Sequence, residues 1–444
     1  MKKSLLFVLT LFFCQSIFAQ AQPNTPLYNF LTAIPGAEVT VLEAKNCNEF
    51  YKVMLPQMLN HNNMNSPKFM QRLFIRHRNA NNPTVIVTEG YGAEYAANPD
   101  ASVGVADLFD GNSIVVEHRY FLASTPTAPL DWEYLTVEQA AADYHYIRQL
   151  FREFYQGKWV ATGISKGGMT TLSYEVFYPD DTDASVAHVA PVNFKKTDPR
   201  IGKFFDTVGD APCREKIRNF QQIMLERKRD ILPIFEQKYR QDGGDFNTVA
   251  DAETMYDYTV LEYEFSFWQW SGHCEAIPSE TVGNDSLFNY LNSVIPALGW
   301  FDEKSIRFFA PSYYQFYSQL GYYEYDYEIP RFKKWLKNEK YPSFVIAEKT
   351  VAAPTFTKSY LRKMKKFLRK KVDRMIFVYG EYDPWGATAV ELNRKGDALK
   401  FVVNDGTHRA RITDLAPEQK KIAYAALEKW LGTPVAEKPK EKKK

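Results

Sequence analysis

At 444 residues, with 45% hydrophobic and 24% charged side chains, the chain can bury a large core and has an ordinary globular composition. Its formal net charge is +2, and about −3 remains for the body once the basic leader and the lysine-rich tail are set aside, so no electrostatic footprint for nucleic acid is present. The aromatic content is high, with 32 Phe, 28 Tyr and 8 Trp, which points to an aromatic-lined cleft beside an aromatic-rich core.

The N-terminus reads as a secretory signal. Lys2 and Lys3 form a basic start, and Leu5 to Phe18 is apolar but shorter than the ~20 residues of a membrane-spanning helix. Ala19 and Ala21 offer cleavage positions, whereas Phe13 is too bulky for lipid attachment at Cys14. Residues 1–21 are therefore expected to be removed and the protein exported, to the periplasm or beyond the cell. No later stretch is apolar enough to predict stable membrane insertion.

Residues 22–195 alternate β and helical patterns. Strands are expected at Glu38–Leu42, Phe69–His77, Thr84–Thr88, Ser113–His118, Lys158–Thr162 and Ala187–Val192. The continuous apolar runs at 84–88 and 113–118 are typical of buried parallel strands. A helix is expected over Thr136–Phe154, opened by Thr136 and Gln139 as a capping box. Residues 196–345 change character, with helical patterns over Cys213–Gln241 and Ala252–Trp270 and dense aromatics at 258–270 and 308–327. The β pattern returns over residues 346–433 and just before them, at Ser343–Ala347, Met375–Tyr379 and Lys400–Val403. Between these strands, Tyr360–Lys371 reads as an amphipathic helix. The last helix, Pro417–Leu431, stops at Gly432, and 434–444 is a lysine-rich, solvated tail. A parallel sheet interrupted by a helical cap is the plan of an α/β-hydrolase with a lid insertion.

Within that plan, Gly163-Ile164-Ser165-Lys166-Gly167 follows a strand and precedes a helix pattern, the context of a nucleophile elbow. Glycines two residues either side of the serine avoid Cβ clashes in a strained turn. The required order is serine, acid, histidine. Asp383 follows the strand at 375–379, and His408 follows the strand at 400–403. The chain has 7 histidines, and His408 is the only one beyond position 273, so a chance histidine in that slot is improbable. Glu381 and Asp405 are the rival acids. Ser165 is the expected nucleophile, His408 the base and Asp383 its orienting partner. The oxyanion donors are expected from the Lys166 amide and from Gly90 or Tyr91, in the loop after an early strand.

Three cysteines remain after signal removal, so at most one bridge forms within a monomer. Cys213 and Cys274 lie near the ends of long helical patterns in the insertion and are expected to pair, leaving Cys47 free. The cysteines lack metal-ligand spacing, and the chemistry calls for no cofactor.

Gly163–Thr170, Glu117-His118-Arg119-Tyr120-Phe121, Tyr134–Ala140 and Gly380–Trp385 resemble the secreted bacterial prolyl tri- and tetrapeptidyl aminopeptidases. They are more distantly similar to lysosomal prolyl carboxypeptidase and dipeptidyl peptidase II. The resemblance runs from about 37 to 430 and is weakest in the insertion. It implies a serine exopeptidase that releases short N-terminal peptides, cutting after proline, from peptides with a free N-terminus. Such an enzyme needs an apolar pocket for the pyrrolidine ring, for which Trp385, Trp268 and Trp270 are candidates. It also needs an acid for the substrate ammonium, for which Glu89, Glu117, Glu262 and Glu264 are candidates, with Glu89 preferred. Glu117 has an alternative role as an ion-pair partner of Arg119 or Arg148. An exported esterase or lipase of the same fold is the rival enzyme, and a non-catalytic binding protein the rival of another class. The Tyr-, Asp- and Glu-rich segment 321–328 favours peptide over lipid.

Overall fold

The structure is a computed structural model and describes residues 23–127, 130–246, 250–296, 302–342, 354–393 and 396–436. The expected signal segment 1–21, the expected strand Ser343–Ala347 and residues 437–444 of the tail lie outside these.

One nine-stranded sheet organises the chain. Its strands are β1 (Glu38–Val41), β2 (Glu49–Met58), β3 (Lys68–His77), β4 (Thr84–Thr88), β5 (Asn112–Val116), β6 (Trp159–Ile164), β7 (Ala184–His188), β8 (Met375–Gly380) and β9 (Leu399–Val403). The spatial order is β1-β2-β3-β5-β4-β6-β7-β8-β9. β1, β2 and β3 run antiparallel, and β3 meets β5 antiparallel. From β5 to β9 every pairing is parallel. The central strands β4, β5 and β7 are buried along their whole length, as continuous apolar runs in a covered parallel sheet must be.

Around the sheet lie α1 (Pro26–Ala33), α2 (Gly104–Asp107), α3 (Val137–Phe151), α4 (Lys166–Phe177), α12 (Ser359–Lys370) and α13 (Pro417–Leu431). Between β7 and β8 come α5 (Arg200–Phe204), α6 (Ala211–Glu226), α7 (Lys228–Gln241), α8 (Ala252–Trp270), α9 (Asn284–Val294), α10 (Glu303–Gln315) and α11 (Ile329–Phe332). These pack a core of their own, in which α8 is buried nearly all round and Phe220, Phe235, Tyr256 and Tyr263 are almost fully enclosed. This core is continuous with the sheet domain: Trp385, from the loop after β8, belongs to it, and Phe316, Tyr317 and Leu320, just after α10, pack with α12 and β8. Among the described residues, no helix is long and apolar enough to cross a membrane.

Several local expectations need correction. β2 goes unanticipated because Pro56 interrupts its pattern; β1 pairs only with Tyr51–Met54, so Pro56 sits where β2 has an open side. β7 begins at Ala184 and ends at His188, because Val189 turns to φ 44° as the chain passes the elbow. The run 213–241 breaks into α6 and α7 at Arg227, which leaves helical geometry at φ −93°, ψ 13°. Thr136 caps α3 by accepting from the Gln139 amide, but the Gln139 side chain turns to Asn60 and the His61 amide, so the capping box does not close. The start of the tail is docked rather than free: the Ala436 amide donates to the Leu108 carbonyl at 2.7 Å. The apolar stripe of α12, including Leu361, Met364 and Leu368, packs into the core beside β7 and β8.

Candidate active site

β6 delivers Ser165 to the tip of a sharp turn into α4. Ser165 has φ 58° and ψ −123°, a conformation side-chain-bearing residues rarely hold. Close packing enforces the turn. A Cβ on Gly163 would lie 2.2 Å from the Gly167 carbonyl oxygen, and one on Gly167 would lie 2.7 Å from that of Thr88. The Ser165 amide donates to the His188 carbonyl at 2.9 Å, anchoring the elbow to β7.

The loops after β8 and β9 bring Asp383 and His408 together. His408 Nδ1 lies 2.8 Å from Asp383 Oδ2, and both side chains are buried. Gly380 permits this approach, since a Cβ there would meet the Thr407 carbonyl oxygen at 2.3 Å. The rival acids point elsewhere: Glu381 accepts from the Asp405 amide, and Asp405 accepts from Tyr382, both at the surface. The His408 amide donates to the Gln269 carbonyl at 2.9 Å, so the end of α8 in the cap fixes the histidine loop. Ser165 and His408 open onto one cavity of about 380 Å³.

The loop after β4 lies directly on the elbow. A Cβ on Gly90 would stand 2.6 Å from Lys166 Cβ and 2.7 Å from the Gly167 amide nitrogen. The Lys166 amide begins α4, where helix N–H groups lack intrahelical partners. Its side chain is buried and donates to the Gly90 carbonyl at 2.9 Å and to Gln315 Oε1 at 2.6 Å, tying elbow, loop and α10 together. Burial pulls the Lys166 ammonium down to about 7. The Tyr91 ring lines the cavity and packs edge-on against Phe121 and Phe309.

Glu89 also lines the cavity. It keeps one face open to the cavity and is enclosed by protein elsewhere, and this burial pushes its carboxyl up to about 7, against opposing hydrogen bonds from Tyr95 and the Gly90 amide. Opposite stands an aromatic box. Trp385 lies 5.1 Å from Phe265, 5.3 Å from Tyr322 and 5.5 Å from Tyr323, ring centre to ring centre. Trp270 packs edge-on against His408 at 5.3 Å.

Other sequence candidates fall outside the cavity. Trp268 is buried against Tyr382 and Gly209, two residues and just over half a helical turn from Trp270, which does reach the cavity. Glu117 is fully buried and pairs with Arg72, not with Arg119 or Arg148. It also accepts from the Ala93 and Ser124 amides, so it braces the Gly90–Ala93 turn from behind. Arg119 pairs with Asp143 instead. Glu262 accepts from Tyr323, Tyr325 and Ser266 and so holds the aromatic wall in place. Glu264 lines a separate cap cavity of about 410 Å³ that contains none of Ser165, Asp383 or His408. Tyr95, Tyr322, Tyr323 and Arg411 line the catalytic cavity without having been singled out from the sequence. Arg411, three residues after the histidine, had position as its only signal. Cys213 and Cys274 are joined, with Cα atoms 5.5 Å apart, and Cys47 is a free thiol. Among the described residues, no His, Cys, Asp and Glu cluster is arranged to hold a metal.

Residues 23–443 match the family of the PS-10 peptidase S37. The chain belongs to the S37 peptidases. It is 30% identical over 419 residues to a prolyl tri/tetrapeptidyl aminopeptidase from Streptomyces mobaraensis, spanning 92% of this chain and 86% of that protein. Among solved structures, a proline iminopeptidase from Mycobacterium smegmatis gives a TM-score of 0.42 at 11% identity, covering 85% of this chain and 99% of that one. A proline iminopeptidase-related protein from Thermus thermophilus gives 0.38 at 12% identity, covering 86% and 98%. This S37 member is therefore a serine peptidase, and its sheet order and elbow are those of the α/β-hydrolase fold.

Proposed function

We propose that this S37 peptidase is an exported aminopeptidase that releases tri- or tetrapeptides from free N-termini, cutting after proline. The observation that carries the reading is the pairing, in one cavity, of an aromatic box beside Ser165 with a single enclosed acid, Glu89. Flat apolar walls suit a pyrrolidine ring. An enclosed carboxylate suits an ammonium, and together the box and the acid set where the chain is cut and where it starts.

Catalysis follows the serine peptidase scheme. Ser165 Oγ attacks the carbonyl carbon after proline while His408 Nε2 takes its proton. Asp383, on Nδ1, holds the ring's orientation and stabilises the imidazolium. The oxyanion is received by the Lys166 amide and by the loop after β4. There the Gly90 amide serves the Glu89 carboxylate, so Tyr91 supplies the loop's donor. The C–N bond breaks as His408 returns the proton to the leaving nitrogen, giving an acyl-enzyme on Ser165. Water, deprotonated by His408, then releases the peptide acid.

Export rests on the leader at 1–21 alone. The test of specificity compares Ala-Ala-Pro-p-nitroanilide with its N-acetylated form. An uncompensated carboxylate costs about 3–5 kcal/mol, so acetylation should lower kcat/KM about a hundredfold or more. Equal rates would replace the aminopeptidase reading with an endopeptidase or esterase one.

A further inference from the structure

Beyond Ile164 a side cavity of about 240 Å³ adjoins the catalytic one, and Tyr95, Ile164 and Arg411 line both. We propose that this side cavity receives the leaving fragment of the substrate, and that Arg411 binds the free α-carboxylate of a fragment one or two residues long. The inference rests on the peptidase reading above and adds to it a preference for short peptides with an unblocked C-terminus.

Three observations support it. First, His408 must hand its proton to the leaving nitrogen, so the leaving fragment begins at His408. Arg411 is bonded to that same loop, donating from Nη1 to the His408 carbonyl at 3.1 Å and the Ala410 carbonyl at 2.9 Å. In a single amino acid the nitrogen and carboxylate are near neighbours, and a second residue adds only ~3.5 Å, so a fragment of one or two residues keeps its carboxylate close to the His408 loop that Arg411 is bonded to.

Second, the Arg411 guanidinium forms no ion pair with any described carboxylate; Asp383 and Asp414 act on it only at longer range. A planar cation facing a cavity with only carbonyl partners suits a bidentate carboxylate ligand.

Third, His188 faces the side cavity and is 3% exposed; beyond a backbone contact with Gly163, its ring has no hydrogen-bond partner. Burial, with Arg411 nearby, takes it down to about 3, so the ring is neutral and keeps a nitrogen for a peptide group of the fragment. Val87, Val105 and Ile412 give apolar wall for a side chain, beside the hydroxyl residues Ser102, Thr162 and Thr413.

The experiment uses the full chain and Ala-Ala-Pro-Ala, its C-terminal amide, and Ala-Ala-Pro-p-nitroanilide. The acid should be cut with a kcat/KM about tenfold above that of the amide. Arg411→Met should bring the ratio near one, and Arg411→Lys should retain part of it. A wild-type ratio near one, or a ratio unchanged in Arg411→Met, overturns the proposal. If Arg411→Met does not fold, the wild type decides by acyl transfer from the nitroanilide: Ala-Ala should capture the acyl-enzyme better than Ala-Ala-amide, and equal capture overturns the proposal. Nitroaniline release separates the two readings. Its absence overturns the aminopeptidase reading and this site with it, whereas release without acid preference overturns this site alone.

Discussion

Replacing Glu89 by Gln should raise stability and lower substrate discrimination together. Burial holds the Glu89 carboxyl at about 7 instead of 4.5. Between those values the folded chain binds the proton more tightly than the unfolded one. Stability from this group therefore falls as pH rises from 4.5 to 7, and the full penalty applies above about 7. In full it is roughly 3 kcal/mol, trimmed to about 1–3 because one face meets cavity water. Glutamine keeps an acceptor for Tyr95 and the Gly90 amide without the charge. For a domain of this size the unfolding entropy is on the order of 0.9 kcal/mol/K, so Glu89→Gln should raise Tm by about 1–3 °C at pH 8 and by less than about 1 °C at pH 5. The same variant should lose at least about tenfold of the preference for free over acetylated Ala-Ala-Pro-p-nitroanilide. Calorimetry at the two pH values and paired kcat/KM measurements give both readouts. A variant less stable at pH 8 would mark Glu89 as a structural acid, and retained discrimination would move the amine anchor elsewhere. In the wild type, kcat/KM should fall below pH 7 as Glu89 takes up its proton, and fall again above about 8 as the substrate amine loses its own.

Ser165→Ala should abolish turnover and fluorophosphonate labelling with an unchanged melt; a variant keeping a tenth of the activity would remove Ser165 from the chemistry. Gly380→Ala forces a Cβ to within 2.3 Å of the Thr407 carbonyl oxygen and should cut activity more than stability by displacing His408, a split seen by comparing kcat with Tm. The bridge from Cys213 to Cys274 spans 61 residues, which in chain-entropy terms is worth about 4 kcal/mol; Cys213→Ser should lower Tm markedly, and alkylation without reductant should modify one thiol, Cys47, in the wild type. Lys166 is pulled down to about 7, so the buried ammonium penalises folding below that pH and fades as pH rises towards 10.5; the Tm of Lys166→Met relative to wild type should be more favourable at pH 6 than at pH 9.

The parts legible in the sequence are those in which chemistry and backbone geometry coincide. Ser165 is marked by glycines that a clash of 2.2 Å makes obligatory, and Asp383 and His408 by their places after apolar strands. Slot order left Glu381 and Asp405 as rivals of Asp383; the contact with His408, at a loop packed against Gly380, decides between them. What stayed hidden depends on orientation. Trp268 and Trp270 are equivalent in the sequence, but on α8 they face different directions, and only the second meets His408. Glu117 looked available to a substrate because its partner Arg72 lies 45 residues away on β3. Breaking that buried pair by Arg72→Ala should cost about 3–5 kcal/mol, whereas Glu89 has no such partner. β2 was obscured by a proline that only an open strand side makes tolerable.

The bond from the His408 amide to the Gln269 carbonyl has an evolutionary consequence. The cap, which lines the catalytic cavity, also fixes where the base sits, and Lys166 adds a second such link through Gln315. A cap of this kind is not a transferable module. A lineage drifting towards longer or shorter products would have to keep the carbonyl at 269 and the amide at 315 in register while everything between them changed. Chimeras that trade residues 196–345 between relatives should therefore lose turnover before they change selectivity, unless the histidine loop at 404–411, which donates to the cap, travels with it.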